Sequence, residues 1–393
     1  MPTISKSSFL HPLAIHSALP LRPGAYLRPV WLSLRGDRLL WAFALGLGFI
    51  GLLVVYSATV SLVFRYHPEM PEYYLVKQIL TLTLALFLAY AVHLTDYRRW
   101  GPLFEYLWWL SIGLLAYLFL RGSGAQRWLY LGGISFQPSE LARFALMGLL
   151  AYRMALHGEK PWGWPDLLPL IVRIGLSFAL IAPVNLSNGL FLLVSSGIFL
   201  YIGGLPLGKL LRLAGVSGLA LIVLFLSAPR ATVWRQRLLT YWKGETSPTL
   251  PADDYQRAHA SLAVYSGGVW GRGPGRSLQR YYLPQSYSDF AFSILIEEYG
   301  LIGGLVVLGL YGGFLGRLAV WATAASGFAQ LFLIGTFLHT ALQVGIHIGV
   351  SLELLPITGV PLPWISLGGS ALLAQALMLG LSLSISHALR QKP

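Results

Sequence analysis

Residues 273–300 read GPGRSLQRYYLPQSYSDFAFSILIEEYG, and the change of character inside that stretch decides how the rest of the chain is read. Up to Pro284 it is a glycine-bearing loop with Arg276 and Arg280. From Asp289 it turns into an apolar helix that still carries Glu297 and Glu298. That helix is long enough to cross the roughly 30 Å of a bilayer's hydrocarbon. Ionisable groups at membrane depth are costly, so by default they mark a site for substrate, ion or proton. A carboxylate at the helix edge, facing a basic loop, suits chemistry on an anionic, lipid-linked substrate.

The surrounding composition agrees. Of 393 residues 55% are hydrophobic and only 11% charged, with a mean hydropathy of +0.64. A soluble domain carries about 25% charged residues. Apolar runs predict an all-α polytopic membrane protein of about ten transmembrane helices. The expected spans are 38–63, 73–95, 101–120, 138–156, 165–183, 186–204, 207–228, 288–316, 324–350 and 366–388. Lys6, Arg22, Arg28, Arg35, Arg98, Arg99, Arg153, Lys160, Lys209, Arg212, Arg317, Arg390 and Lys392 fall on one side of this arrangement. Cationic loops stay in the cytoplasm, so both termini are expected there. The domain reading is a basic tail at 1–37, one membrane domain over 38–388 and a short cytoplasmic tail at 389–393. Pro12, Pro20, Pro23 and Pro29 interrupt the tail, which is not a signal peptide.

Several classes drop out. With no cysteine there is no disulfide or thiolate metal site. The nine histidines lack paired-ligand spacing, and His339 and His347 read as hydrogen-bonded groups of a helix bundle. The net charge of +13 sits at helix ends rather than on a basic stripe, so nucleic acid is not an expected partner.

Between the seventh and eighth spans, residues 229–287 are too polar to cross and too long for a plain connection. This large extracytoplasmic loop carries Arg230, Arg235, Arg237, Lys243, Arg257, Arg272, Arg276 and Arg280. An outward basic loop attracts anions, either lipid headgroups or substrate. Within it, Gly271 to Arg276 reads either as a flexible turn or as bare amides beside arginines that touch a diphosphate.

Several segments together resemble the SEDS family of bacterial envelope proteins, typified by FtsW and RodA. They are Gly122 to Trp128 leading to Gln137-Pro138-Ser139-Glu140, then Asp254-Tyr255-Gln256, Gly271 to Ser277, and Leu283-Pro284 to Asp289-Phe290. Glu297-Glu298, Pro356 to Gly359 and Leu362 to Ser370 complete the set. The resemblance implies a ten-helix fold that polymerises lipid II, the undecaprenyl-diphosphate-linked disaccharide-pentapeptide. It further implies a bacterial inner-membrane location and a class B penicillin-binding protein, a transpeptidase, packing on helices 8 and 9 among other division proteins. The family's aspartate falls on Asp289. Departures are Tyr287-Ser288 for the usual His-Thr, Arg143 for a lysine, Asn185 where many members carry an aspartate, and His347 for an asparagine. The spelling of the loop and of Tyr-Ser-Asp is nearer the division branch than the elongation branch.

Polymerisation from lipid II is an inverting transfer, for which one carboxylate serves as general base. Asp289 is the candidate, although an aspartate there also suits a helix N-cap. Glu297 lies on the flank of that helix face, either beside the site or as a structural group. The leaving diphosphate needs cations, and Arg127, Arg143, Arg257, Arg276 and Arg280 are the candidates. Arg127 and Arg257 equally suit headgroup contacts. Gln137, Glu140 and Arg143 are expected to line a polar cavity for the lipid headgroup, unless Glu140 and Arg143 only pair with each other. Ser366 belongs to the last outer loop, for substrate contact or for ordinary capping. No dedicated cofactor is implied; a divalent cation, magnesium or manganese, can accompany the diphosphate. Two other functions fit the membrane architecture: a lipid II transporter and a non-enzymatic division scaffold.

Overall fold

The computed structural model describes residues 36–121, 127–131, 134–227 and 252–391. Most of the basic tail, part of the Gly122 motif, Arg230, Arg235, Arg237, Lys243 and Lys392 lie outside the described residues. Residues 35–393 cluster as one compact unit.

The helices are α1 (Arg38–Ala58), α2 (Val60–Tyr66), α3 (Tyr73–His93), α4 (Trp100–Arg121), α5 (Pro138–His157), α6 (Trp164–Ile181) and α7 (Leu186–Ile202). They continue with α8 (Leu207–Ser227), α9 (Ala252–Gly267), α10 (Ala291–Ala324), α11 (Gly327–Ser351) and α12 (Gly369–Arg390). Every expected span is thus occupied by helix. By length and composition, α1, α3, α4, α6, α10, α11 and α12 suffice to cross a membrane, while α7 is a shorter apolar helix. The first span is interrupted at Thr59, so 38–63 is two helices rather than one. A small antiparallel hairpin, β1 (Leu129–Leu131) with β2 (Ile134–Phe136), adds strand to a fold expected to be wholly helical.

Caps explain several boundaries. Asp37 accepts from the Leu39 amide at 2.8 Å and opens α1. Pro138 stands in the first turn of α5, where its missing N–H costs nothing, and Gly158 ends that helix at φ 66°. Asn185 caps α7 through the Asn188 amide. The most buried helices are α5 and α12 and the part of α10 before Gly300. Against them pack α11, α4, α1 and α3, with α12 lying along α3 and α10 along both α1 and α11.

One feature of α10 was not expected. It is broken at Gly300, whose φ of 67° and ψ of −170° are not helical. Backbone from the preceding loop fills the break. Arg272 and Gly273 donate to the carbonyls of Glu297 and Glu298, each at 2.9 Å, and Leu301 donates to Gly268 at 2.9 Å. A Cβ at Gly300 would stand 2.3 Å from the Val269 carbonyl oxygen, so only glycine fits.

Candidate active site

Asp289 does not cap α10. The N-cap is Phe290, and Asp289 sits one residue earlier, its amide bonded to the Gln285 carbonyl at 3.0 Å. The turn that carries it is fastened from behind. Phe290 is fully buried with Ala58, Ala260, Leu283, Ile294, Val350 and Ile357. Burying that one ring is worth roughly 1.5–3 kcal/mol. Ser286 donates to the Ala58 carbonyl at 2.9 Å, tying the turn to the end of α1. With its backbone held, the half-buried Asp289 carboxylate faces an open cavity of about 920 Å³. Ser288 donates to its Oδ1 at 2.6 Å. Gly359, at φ 67°, leaves room beside Oδ2, since a Cβ there would come within 3.4 Å.

The opposite walls come from α3, the hairpin and the start of α12, with Arg127, Gln137, Asn185 and Ser370 among the lining residues. Arg127 is exposed, and its Nε donates to the Val184 carbonyl at 3.2 Å. The Gln137 amide donates to Ser370 Oγ at 2.8 Å, joining α5 to α12 at the cavity's edge. Tyr287 lines the cavity next to the aspartate; burial, then the Asp289 charge, pushes its phenol above the usual range. It therefore stays a neutral donor at physiological pH. Lys77 and Glu72, from the start of α3, also line the space. Neither was singled out from the sequence. A single lysine one turn into an apolar helix reads as a snorkelling cation, and only the return of α12 beside α3 reveals what it faces.

Ser366 stands behind the cavity wall. Its hydroxyl donates to the Ser288 carbonyl at 2.7 Å and accepts from the Leu362 amide at 2.8 Å, while Leu367 donates to the Tyr287 carbonyl at 2.9 Å. The segment 360–367 is itself pinned by neighbouring helices. Gln343 donates to the Pro361 carbonyl at 3.0 Å and Tyr311 to that of Pro363. His347 Nδ1 bonds the Val360 carbonyl at 2.8 Å, which leaves Nε2 to accept from the Phe292 amide.

The other expected site residues lie elsewhere. Glu140 and Arg143 are buried and bonded to one another, and the guanidinium lies 4.9 Å from the Phe191 ring centre. Beside Arg143 is a separate cavity of about 20 Å³, room for about one water. Gln137 alone of that trio lines the large cavity, because Glu140 and Arg143 sit further along α5, inside the bundle. Glu297 is fully buried and turned to the loop: Ser277 Oγ and the Leu278 amide bond its carboxylate, and Arg272 lies 3.7 Å away. Glu298 meets Ser57 of α1 and the Ser277 amide. Arg280 donates to Ser57 Oγ at 2.9 Å, Arg276 is exposed on the loop, and Arg257 lies on α9; none lines the cavity. The loop's amides at 272 and 273 are likewise spent on α10, so Gly271 to Arg276 is neither a free turn nor a phosphate cradle. Among the described residues no three acid or imidazole groups converge on a metal position.

Residues 37–391 match the FtsW/RodA/SpoVE family model, described as cell cycle proteins. The chain belongs to that family. FtsW of Saccharophagus degradans, named a probable peptidoglycan glycosyltransferase, is 31% identical over 82% of this chain and 85% of its own length. FtsW of Caulobacter vibrioides, under the same name, is 32% identical over 76% and 74%. Among FtsW/RodA structures, the rod shape determining protein RodA of Thermus thermophilus superposes with a TM-score of 0.64, at 27% identity, over 93% of this chain and all of that one. A chain from a peptidoglycan synthase complex, described as coordinating polymerization and crosslinking, superposes with a TM-score of 0.65 at 30% identity, over 88% and 98%. The chain is accordingly a multi-span membrane protein of the FtsW/RodA type.

Proposed function

We propose that this chain is a peptidoglycan glycosyltransferase that polymerises lipid II into glycan strands by inverting transfer. The observation that carries the reading is the Asp289 carboxylate facing a 920 Å³ cavity that Lys77 and Arg127 also line. Asp289 accepts the proton of the acceptor sugar hydroxyl while the hydroxyl oxygen attacks the donor anomeric carbon. The bond from that carbon to the lipid diphosphate breaks, and the charge on the leaving diphosphate falls to Arg127 and Lys77. Gln137, Ser370 and Asn185 offer polar contacts to sugar or peptide. A magnesium or manganese ion would take its oxygens chiefly from the diphosphate; the carboxylates lining the cavity are Asp289 and Glu72.

The cationic ends of the helices favour an inner-membrane protein with both termini in the cytoplasm. Likeness to a chain of a synthase complex favours a class B transpeptidase as partner, on the lipid-facing sides of α10 and α11, alongside other division proteins. Exposed Leu301, Leu305 and Leu308 on α10 are available for such a contact.

The test is polymerisation of purified lipid II, with and without the transpeptidase, by wild type, Asp289→Asn and Glu72→Gln. Strands from wild type and Glu72→Gln, with none from a folded Asp289→Asn, support the reading. Strands from Asp289→Asn would remove it as base. Silence of every form with partner and cation present would favour a transporter or a scaffold.

A further inference from the structure

At the end of the bundle away from the cavity, three helix termini meet around one acid. Asp37, ahead of α1, is 1% exposed. Arg317 Nε and Trp321 Nε1 of α10 donate to its Oδ2 at 2.7 and 2.5 Å, and its own amide donates to Ser386 Oγ of α12 at 3.0 Å. Arg390, also of α12, donates to the Gly36 carbonyl at 2.9 Å but reaches only 3.9 Å from Asp37. Both guanidinium groups stack on Trp321, at 5.8 and 5.3 Å from its ring. Arg38 stands exposed next to Asp37.

The charge does not balance. Two arginines share one carboxylate that Arg317 already occupies, and Arg390 remains 47% exposed. Residues 1–36 contain no Asp or Glu. The level in the bilayer is marked by neighbours: Leu39 and Val320 are exposed apolar side chains on α1 and α10, and the indole of Trp321 suits the headgroup zone. A cluster of guanidinium groups between helix ends at that level has the chemistry to meet a phosphodiester, because a guanidinium fork matches two phosphate oxygens.

We infer that Arg390 and Arg38, beside the Arg317–Asp37 pair that joins α1 to α10, bind the phosphate of an anionic phospholipid in the adjacent leaflet. Each arginine at an anionic surface is worth about a fivefold change in affinity.

The full chain in nanodiscs of mixed phosphatidylcholine and phosphatidylglycerol tests this, with retained lipid counted by native mass spectrometry. Wild type keeps phosphatidylglycerol in preference, and Arg390→Gln and Arg38→Gln each lower that preference about fivefold. Arg38→Gln alters an exposed side chain and decides the matter should Arg390→Gln fail to fold. Undiminished preference in the folded variants overturns the proposal. Displacement of the lipid by excess inorganic phosphate would overturn it in favour of a free-phosphate site.

Discussion

The Ser366 hydroxyl donates to the carbonyl of Ser288 at 2.7 Å, one residue before Asp289, across a gap of 78 positions in the chain. Through that bond the segment 360–367 sets the backbone from which Asp289 projects. Ser366→Ala also leaves the buried Leu362 amide without its acceptor, at a cost of about 1–3 kcal/mol. Turnover is expected to fall, by up to about 100-fold if Asp289 moves by an ångström, with substrate affinity little changed. Wild-type turnover together with an unshifted melting temperature would show that the bond positions nothing.

Lys77 lines the same cavity as Asp289 but contributes a charge rather than a fixed hydrogen bond. Lys77→Ala is expected to lower polymerisation by about 100-fold, the usual effect of losing one group that stabilises developing charge. Lys77→Arg keeps the cation and retains most of the rate. Equal rates for lysine, arginine and alanine would remove Lys77 from the diphosphate contacts.

Gly300→Ala places a methyl group against the Val269 carbonyl in a backbone region costing about 1–3 kcal/mol for a side chain. The loop over 268–277 should then leave α10, seen as faster amide exchange at Arg272 and Gly273 and a lower melting temperature. Unchanged exchange at both amides would contradict the docking described above.

Asp37 provides a pH dependence. Burial raises its carboxyl pKa, but the bonds from Trp321, Arg317 and the Leu39 amide outweigh that and hold it below the ordinary 3.8. A depressed folded pKa adds stability that is fully present above the unfolded value and disappears as pH falls through the folded one. Wild type should therefore melt higher than Asp37→Asn at neutral pH, and the difference should shrink below about pH 3.8. A gap that stays constant down to acid would mean that the ionised form is not what α1, α10 and α12 recognise.

Helix at each expected span was legible because a long apolar run leaves few alternatives in a membrane. The position of Asp289, at the edge of an apolar helix, was legible too, and the structure adds the cavity it lines. What the chain did not disclose was which charges converge. Arg143, Arg276 and Arg280 match a diphosphate in type, yet packing spends Arg143 on Glu140 and Arg280 on Ser57 and leaves Arg276 on the loop surface. Lys77 carries no signal in the sequence because it stands in an apolar run with Val76, Ile79 and Leu80, and nothing along the chain marks which face lines the cavity. Glu297 lies ahead of the break at Gly300, and its carboxylate meets the docked loop rather than the cavity, a contact no residue spacing discloses.

The break also bears on how the protein is made. The carbonyls of Glu297 and Glu298 find their donors at Arg272 and Gly273, which leave the ribosome earlier. Synthesis from the N-terminus therefore delivers the patch before the gap it fills.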